Sequence, residues 1–93
     1  MEIEKKNDFI RLFKALANED RLKIMNLLKK NGKMIPQQLQ KHFFLEQSTT
    51  SHHLNTLKNA GITKSQKLGR NIYYSLDYET MAKHIKDFLH LFK

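Results

Sequence analysis

The sequence predicts one domain of the mainly α class with a small β-hairpin (α+β), built from five helices and two strands. Apolar residues recur at spacings of three and four along most of the chain, the period of an amphipathic helix. The 93 residues contain only three glycines and one proline, so few positions interrupt a helix. Residues that favour strands are concentrated in two short runs on either side of Gly69. The length fits a single domain over residues 1–93.

The first two helices are predicted over Ile3–Ala17 and Glu19–Lys30. The apolar residues of the first helix, at positions 9, 12, 13 and 16, share one face. Asn18 is expected to cap the second helix, because a short polar side chain can accept hydrogen bonds from the unpaired N–H groups at a helix start. Gly32 is expected to end it.

The third and fourth helices are predicted from Pro36 to about His42 and from about Gln47 to Ala60. Proline is favourable in the first turn of a helix, where its missing donor would be unpaired in any case. The segment Phe43–Leu45 forms the turn between the two helices, and Gly61 ends the fourth helix in a left-handed conformation.

A hairpin and a last helix complete the chain. Strands over Ile62–Lys67 and Asn71–Leu76 flank a tip at Leu68–Arg70. The last helix, about Tyr78–Phe92, carries a stripe at alternating steps of three and four, which is typical of packing between two helices: Tyr78, Met81, Ile85, Phe88 and Phe92. This stripe predicts a partner surface.

The charge of the chain favours an acidic partner. A formal net charge of +8 points to nucleic acid or an acidic membrane surface, although a merely soluble basic protein fits the charge equally well. The absence of cysteine excludes disulfides and thiolate metal sites. No apolar run reaches the roughly 18 residues needed to span a bilayer, and the first residues are charged, so we expect a cytoplasmic protein with no membrane partner.

The fourth helix carries the strongest functional pattern. Thr50, Leu54 and Leu57 share one side, whereas the opposite side is polar but almost uncharged. Short hydroxyl, amide and imidazole groups can read base edges in the major groove of DNA. The residues predicted to do so are Gln47, Ser48, Ser51, His52 and Asn55. For Ser48 and Thr49 individually, helix capping is an equally good explanation.

The hairpin is predicted to contact the DNA backbone as a wing beside that helix. The residues assigned to backbone contacts are Thr49, Lys64, Lys67, Arg70 and Asn71. Lysines on an edge hairpin also protect against aggregation, so each of them alone is weak evidence. No paired acids, glycine-rich loop or usable nucleophile and base support an enzyme. Together these patterns predict a winged helix-turn-helix domain that binds double-stranded DNA.

These motifs, in their order along the chain, closely resemble those of the ArsR/SmtB family of bacterial winged-helix repressors. The resemblance rests on residues 12–18, 21–25, 47–54, 60–62 and 69–76, together with Leu57. It implies a homodimer formed through the first and last helices, repression of transcription at an imperfect inverted repeat, and release by an inducer that is often a metal ion. On this basis Phe9 and Phe13 join the stripe of the last helix in the dimer interface.

The sequence departs from that family in its metal sensors. Met34–Gln37 replace the cysteine motif of thiolate-sensing members, and the zinc positions of the last helix align with Tyr78, Thr80 and Leu91. When the alignment is shifted by one residue, Asp77, Glu79 and His90 fall at the spacing of three of these zinc ligands. Antiparallel packing of the last helices of two chains could bring them together around zinc or another divalent metal. The simpler interpretation is that Asp77 caps the helix, Glu79 favours its dipole and His90 is solvated. We therefore predict no cofactor, with this metal site as the alternative.

Two other functions remain open at this point. The fold could instead serve as an interaction module for a protein or RNA partner, because fold alone does not define function. A basic protein could also bind nucleic acid without sequence preference, with an affinity set by salt. The remaining histidines, His42, His53 and His84, are predicted to lie at the surface or at helix boundaries.

Overall fold

A computed structural model describes residues 5–93, and in this range the chain forms five helices and one antiparallel two-stranded sheet. The elements in chain order are α1 Lys6–Leu16, α2 Glu19–Asn31, α3 Pro36–Phe43, α4 Gln47–Asn59, β1 Thr63–Leu68, β2 Asn71–Leu76 and α5 Tyr78–His90. The predicted order and type of every element are confirmed. Boundaries agree within two residues, except that Ile3 and Glu4 of the predicted first helix lie outside the described residues.

The helix ends form as their residues predict. The Asn18 side chain accepts a hydrogen bond from the Arg21 backbone N–H at 3.0 Å and so caps α2. Gly32 ends that helix with φ of 81°, and Gly61 follows α4 with φ of 77°. Both values lie in the left-handed region that glycine adopts without steric cost.

The core lies where the first four helices meet the start of the hairpin. Its largest fully buried apolar side chains are Leu12, Ile24, Leu28, Leu39, Leu54, Leu57 and Ile62. Of the five apolar residues of α2, only Ile24 and Leu28 are fully buried; Met25 and Leu27 pack partly against the core, and Leu22 is half exposed. One side of α2 therefore faces the core, and the opposite side faces solvent.

The hairpin is fixed at its base and projects at its tip. Its register pairs Thr63 with Leu76 at the base and Leu68 with Asn71 at the tip. Two backbone hydrogen bonds join Met34 to Tyr74, at 3.0 and 2.8 Å, and tie the segment before α3 to β2. The wing is therefore anchored beside the third helix.

Helix α5 packs on α1 through aromatic rings. The Phe88 ring centroid lies 5.5 Å from that of Phe9, 4.7 Å from Phe13 and 5.2 Å from Phe92, all in edge-to-face geometry. None of the helices in residues 5–93 is long and apolar enough to cross a membrane.

Candidate nucleic-acid interface

Helix α4 divides into a buried face and an exposed polar face. Thr50, Leu54 and Leu57 are buried as predicted, and the Thr50 hydroxyl donates to the Glu46 carbonyl at 3.1 Å, which satisfies it inside the core. All the side chains predicted to read bases are exposed on the other side: Gln47, Ser48, Ser51, His52 and Asn55. Thr49 is half-buried. The five predicted readers are therefore presented together on one rigid helix.

His53 corrects one prediction, because it is buried rather than at the surface, with only 7% of its area exposed. It follows His52 directly and lies on the inner side of α4, against α2. The Arg21 guanidinium lies 3.3 Å from His53 Nδ1 through Nη1. Because arginine can only donate, Nδ1 is the acceptor and the ring proton is on Nε2, 4.0 Å from the Asp20 carboxylate.

The same arginine also binds the end of the first helix. Arg21 donates from Nε to the Ala15 carbonyl at 2.8 Å and from Nη2 to the Lys14 carbonyl at 3.0 Å. These carbonyls lie in the last turn of α1, where no intrahelical donor remains, and a cation there also suits the negative end of the helix dipole. One side chain thus connects α1, α2 and the candidate reading helix.

The charge state of His53 follows from this environment. Burial lowers its pKa from the ordinary 6.5, the Arg21 charge lowers it further, and the Asp20 carboxylate opposes them. The imidazole is therefore neutral at neutral pH, which is the form that can accept from Arg21. Sequence reasoning missed this pair because its two members are 32 residues apart.

The structure separates the predicted wing residues along the hairpin. Lys67, Arg70 and Asn71 are exposed at or near the tip. Lys64 is exposed near the base, paired with Ser75, and alternation along a strand places its side chain on the face opposite to that of Lys67. Only the three residues near the tip form one projecting group.

Lys64 is close enough to Asp77 to affect its ionisation. The pKa of Asp77 is lowered mainly by hydrogen bonds from the Thr80 backbone and side chain, and to a smaller extent by the Lys64 charge. The assignment of Lys64 to DNA backbone contacts stays a prediction.

Lys33 is a further cation on this side of the molecule that the sequence did not reveal. Its ammonium lies 5.2 Å from the centre of the Tyr73 ring, within cation–π range. The contact depends on the pairing of Met34 with Tyr74, which brings two segments 40 residues apart into register. No local pattern in the sequence indicates it.

The three candidate metal ligands, Asp77, Glu79 and His90, lie where the simpler interpretation placed them. Asp77 caps α5: its two carboxylate oxygens accept from the Thr80 N–H at 3.1 Å and the Thr80 hydroxyl at 2.8 Å. Glu79 and His90 are exposed at opposite ends of that helix. Among residues 5–93 of one chain, no three metal-ligating side chains come together. A site made from these residues would need two chains.

The predicted partner surface is partly used within the chain. Phe9 is only 6% exposed and packs mainly within the chain, and its assignment to the dimer interface stays a prediction. Met81 and Phe88 are half-buried against the chain's own core and α1. The side chains of the predicted set that remain largely exposed are Phe13, Tyr78, Ile85 and Phe92, and Leu89 joins them on α5.

An apolar groove of about 190 Å³ continues this surface between α1 and α5. It is lined by Lys6, Phe9, Ile10, Phe13, Phe88, Leu91 and Phe92. Helix α5 contributes no buried residue to the chain, although one of its faces is apolar. Such a face is unusual on a small monomer and is typical of a protein interface.

The comparisons with known proteins agree with this geometry. The family model described as "Bacterial regulatory protein, arsR family" matches residues 18–65, which is just over half of the chain and includes the whole of α3 and α4. The cadmium resistance transcriptional regulatory protein CadC homolog of Staphylococcus aureus is 39% identical over 84 residues, covering 89% of this chain and 69% of that protein. The transcriptional repressor SdpR of Bacillus subtilis is 38% identical over 74 residues, covering 80% and 81%.

A solved structure shows the same fold. The homodimeric winged helix-turn-helix DNA-binding domain of Mb0332 from Mycobacterium bovis superposes with a TM-score of 0.76 over 98% of this chain and 86% of that one, at 24% identity. The predicted winged helix-turn-helix is therefore confirmed. The relatives are named transcriptional regulators, which confirms that this chain is not an enzyme.

Proposed function

The chain belongs to the arsR family of bacterial regulatory proteins, and from that premise we propose that it represses transcription as a homodimer bound to an inverted-repeat operator. The observation that carries the proposal is the exposed face of α4, whose side chains are polar, short and almost uncharged. Such a face suits base edges better than it suits bulk solvent, where lysine and glutamate are usual. The repressor role is supported by the name of SdpR, and the homodimer by the Mycobacterium bovis domain.

The proposed division of labour follows the position of each side chain. Helix α4 enters the major groove with its first turns, where Gln47, Ser48, Ser51, His52 and Asn55 read base edges. The tip of the wing, with Lys67, Arg70 and Asn71, contacts the backbone beside the groove. Thr49 and Lys64 support these backbone contacts from the start of α4 and the base of the hairpin.

The direct test compares binding to the promoter DNA upstream of the protein's own gene with binding to a scrambled duplex of equal length. A specific repressor is expected to prefer the promoter by roughly a thousandfold or more at near-physiological salt. Equal affinity for both duplexes, with a steep dependence on salt, would instead indicate binding through phosphates alone.

Substitutions on α4 and on the wing are expected to act differently. Ser51→Ala and His52→Ala should each cost about 1 to 3 kcal/mol on the promoter and little on scrambled DNA, because each removes a base contact. Lys67→Ala should weaken binding to both duplexes similarly and reduce the salt slope by about one. Asn59→Ala, in the last turn of α4, is the matched control and should leave the promoter affinity unchanged. Equal losses on both duplexes for Ser51→Ala and His52→Ala would contradict the assignment of base reading to α4.

The dimer is proposed to form through the outward stripe of α5 and the adjoining part of α1. Ile85→Glu places a charge in the middle of that stripe, where Ile85 is 43% exposed, and should convert the dimer to a folded monomer. Lys83→Glu introduces a glutamate at an exposed position on the opposite side of the same helix and should leave the dimer intact. Light scattering gives the mass of each variant, and circular dichroism checks that it is folded. A dimeric Ile85→Glu variant would place the interface elsewhere.

A further inference from the structure

Phe44 is the most exposed large apolar side chain among the described residues. It lies in the turn between α3 and α4 with 94% of its area accessible to solvent. Its neighbours Phe43 and Leu45 are both partly buried, so the turn directs two apolar side chains inward and this one outward. The fold gains no packing from the Phe44 ring.

The backbone at Phe44 is also unfavourable for phenylalanine. The residue follows the last residue of α3 with φ of 52° and ψ of 33°, in the left-handed region. At this position after a helix, glycine is the usual residue and asparagine the next, because a bulky side chain is strained there. Neither packing nor local conformation explains a phenylalanine at position 44.

The position of the Phe44 ring suggests why a phenylalanine stands in this turn. Phe44 lies three and four residues before Gln47 and Ser48, at the entrance to the helix proposed to read DNA. The start of a recognition helix is the part that enters the major groove, so a side chain projecting from the preceding turn faces the edge of the same groove. An aromatic ring offers no charge to phosphates. The apolar group exposed in a major groove is the 5-methyl of thymine.

We propose that Phe44 makes an apolar contact with the 5-methyl group of a thymine at the edge of each operator half-site. This inference rests on the proposed function, because it requires α4 to read the major groove. Strain retained at an exposed position is typical of residues kept for binding rather than for stability. Phe44 is therefore a further specificity-determining residue, beside the polar readers of α4.

Two variants separate binding from stability. Phe44→Asn tolerates the left-handed conformation, so its melting temperature should rise by about 4 to 8 °C. Because it also removes the ring, its Kd for the promoter should increase at least roughly fivefold. Phe44→Leu keeps an apolar side chain and the strain, so it should melt near wild type and bind the promoter within about threefold of wild type. A Phe44→Asn protein that binds the promoter as tightly as wild type would overturn the inference.

The DNA partner can be tested by atomic substitution. Replacing thymines by uracil, one symmetric pair at a time, removes only the methyl groups. One such pair should weaken wild-type binding by roughly fourfold per half-site, and the same substitution should have no effect on Phe44→Asn. If no thymine shows this coupling, the inference fails. If Phe44→Asn is monomeric where wild type is dimeric, the ring contacts a second chain instead, which also overturns it.

These outcomes are distinct from failure of the proposed function. A wild-type protein that does not distinguish promoter from scrambled DNA would overturn the repressor proposal itself. A specific wild-type protein whose affinity is unaffected by Phe44→Asn would overturn the role of Phe44 alone.

Discussion

Arg21→Ala is expected to lower the free energy of unfolding by about 2 to 4 kcal/mol, because it removes charged hydrogen bonds from two helix-terminal carbonyls. The guanidinium donates to Ala15 and Lys14 at 2.8 and 3.0 Å. Its loss also leaves the buried Nδ1 of His53 without the donor that lies 3.3 Å away. The measurement is urea unfolding followed by circular dichroism.

Two further variants test this explanation. Arg21→Lys keeps the charge but lacks the planar fork that serves several acceptors at once, so it should recover less than half of the loss. Lys23→Ala removes a neighbouring cation of α2 that makes one exposed ion pair with Glu19, at 3.4 Å, and should cost less than about 0.5 kcal/mol. If Arg21→Lys were as stable as wild type, charge near the end of α1 would be sufficient and the hydrogen-bond geometry would not matter.

The Arg21 contacts also connect stability to function. His53 lies on the inner side of α4, one residue from His52 on the outer side. An arginine that holds the end of α1 and the buried histidine together therefore fixes the direction in which α4 presents its polar face. Arg21→Lys should weaken promoter binding more than scrambled-duplex binding, measured at a temperature where the variant is fully folded. Equal losses on both duplexes would contradict this positioning role.

Local patterns were sufficient to predict the elements and their ends. Asn18 and Gly61 mark helix boundaries through chemistry that acts over three or four residues, and a sequence displays such chemistry directly. The division of α4 into buried and exposed faces follows in the same way from helical periodicity, with Thr50 and Leu54 inside and Ser51 outside. These parts of the candidate site depend on no distant contact.

The errors come from contacts between distant segments. His53 has the polarity of a surface residue, and only the fold brings Arg21 beside it. The stripe of α5 has the period of a packing seam, but the sequence does not say which members pack on the chain's own α1 and which face outward. The aromatic cluster around Phe88 shows that most of the Phe9 ring packs within the chain. Phe44 was predicted to lie in a turn, whereas its exposure and left-handed backbone are visible only in three dimensions.

Gly61→Ala is the second substitution expected to have a large effect, with a loss of about 2 to 4 kcal/mol of unfolding free energy. Gly61 joins α4 to the wing with φ of 77°, where an L side chain is strained. A Cβ at this position would also lie 2.8 Å from Thr80 Cγ2 and 3.0 Å from His84 Nε2. Thr80 cannot move easily, because its hydroxyl and its N–H both donate hydrogen bonds to the Asp77 carboxylate.

The contact at Gly61 also involves His84, whose predicted location was wrong. His84 was predicted to lie at the surface or at a helix boundary, but it is half-buried in the middle of α5, and its Nδ1 is buried without a hydrogen-bond partner among the described residues. Its ring and the Thr80 methyl group lie over the glycine, so that α5 approaches the end of α4 closely. A side chain at position 61 would separate the last helix from the reading helix.

The two parts of the Gly61→Ala effect can be measured separately. Gly32 has a similar φ, 81°, but nothing lies within 4 Å of a Cβ built there, so Gly32→Ala should cost only the conformational part, about 1 to 2 kcal/mol. Thr80→Ser removes the obstructing methyl group and keeps the hydroxyl that donates to Asp77 at 2.8 Å. In that background Gly61→Ala should cost about 1 kcal/mol less than in wild type, because atoms in contact couple. If Gly61→Ala and Gly32→Ala cost the same, or if Thr80→Ser gives no relief, the loss is conformational alone and the approach of α5 to α4 does not require glycine.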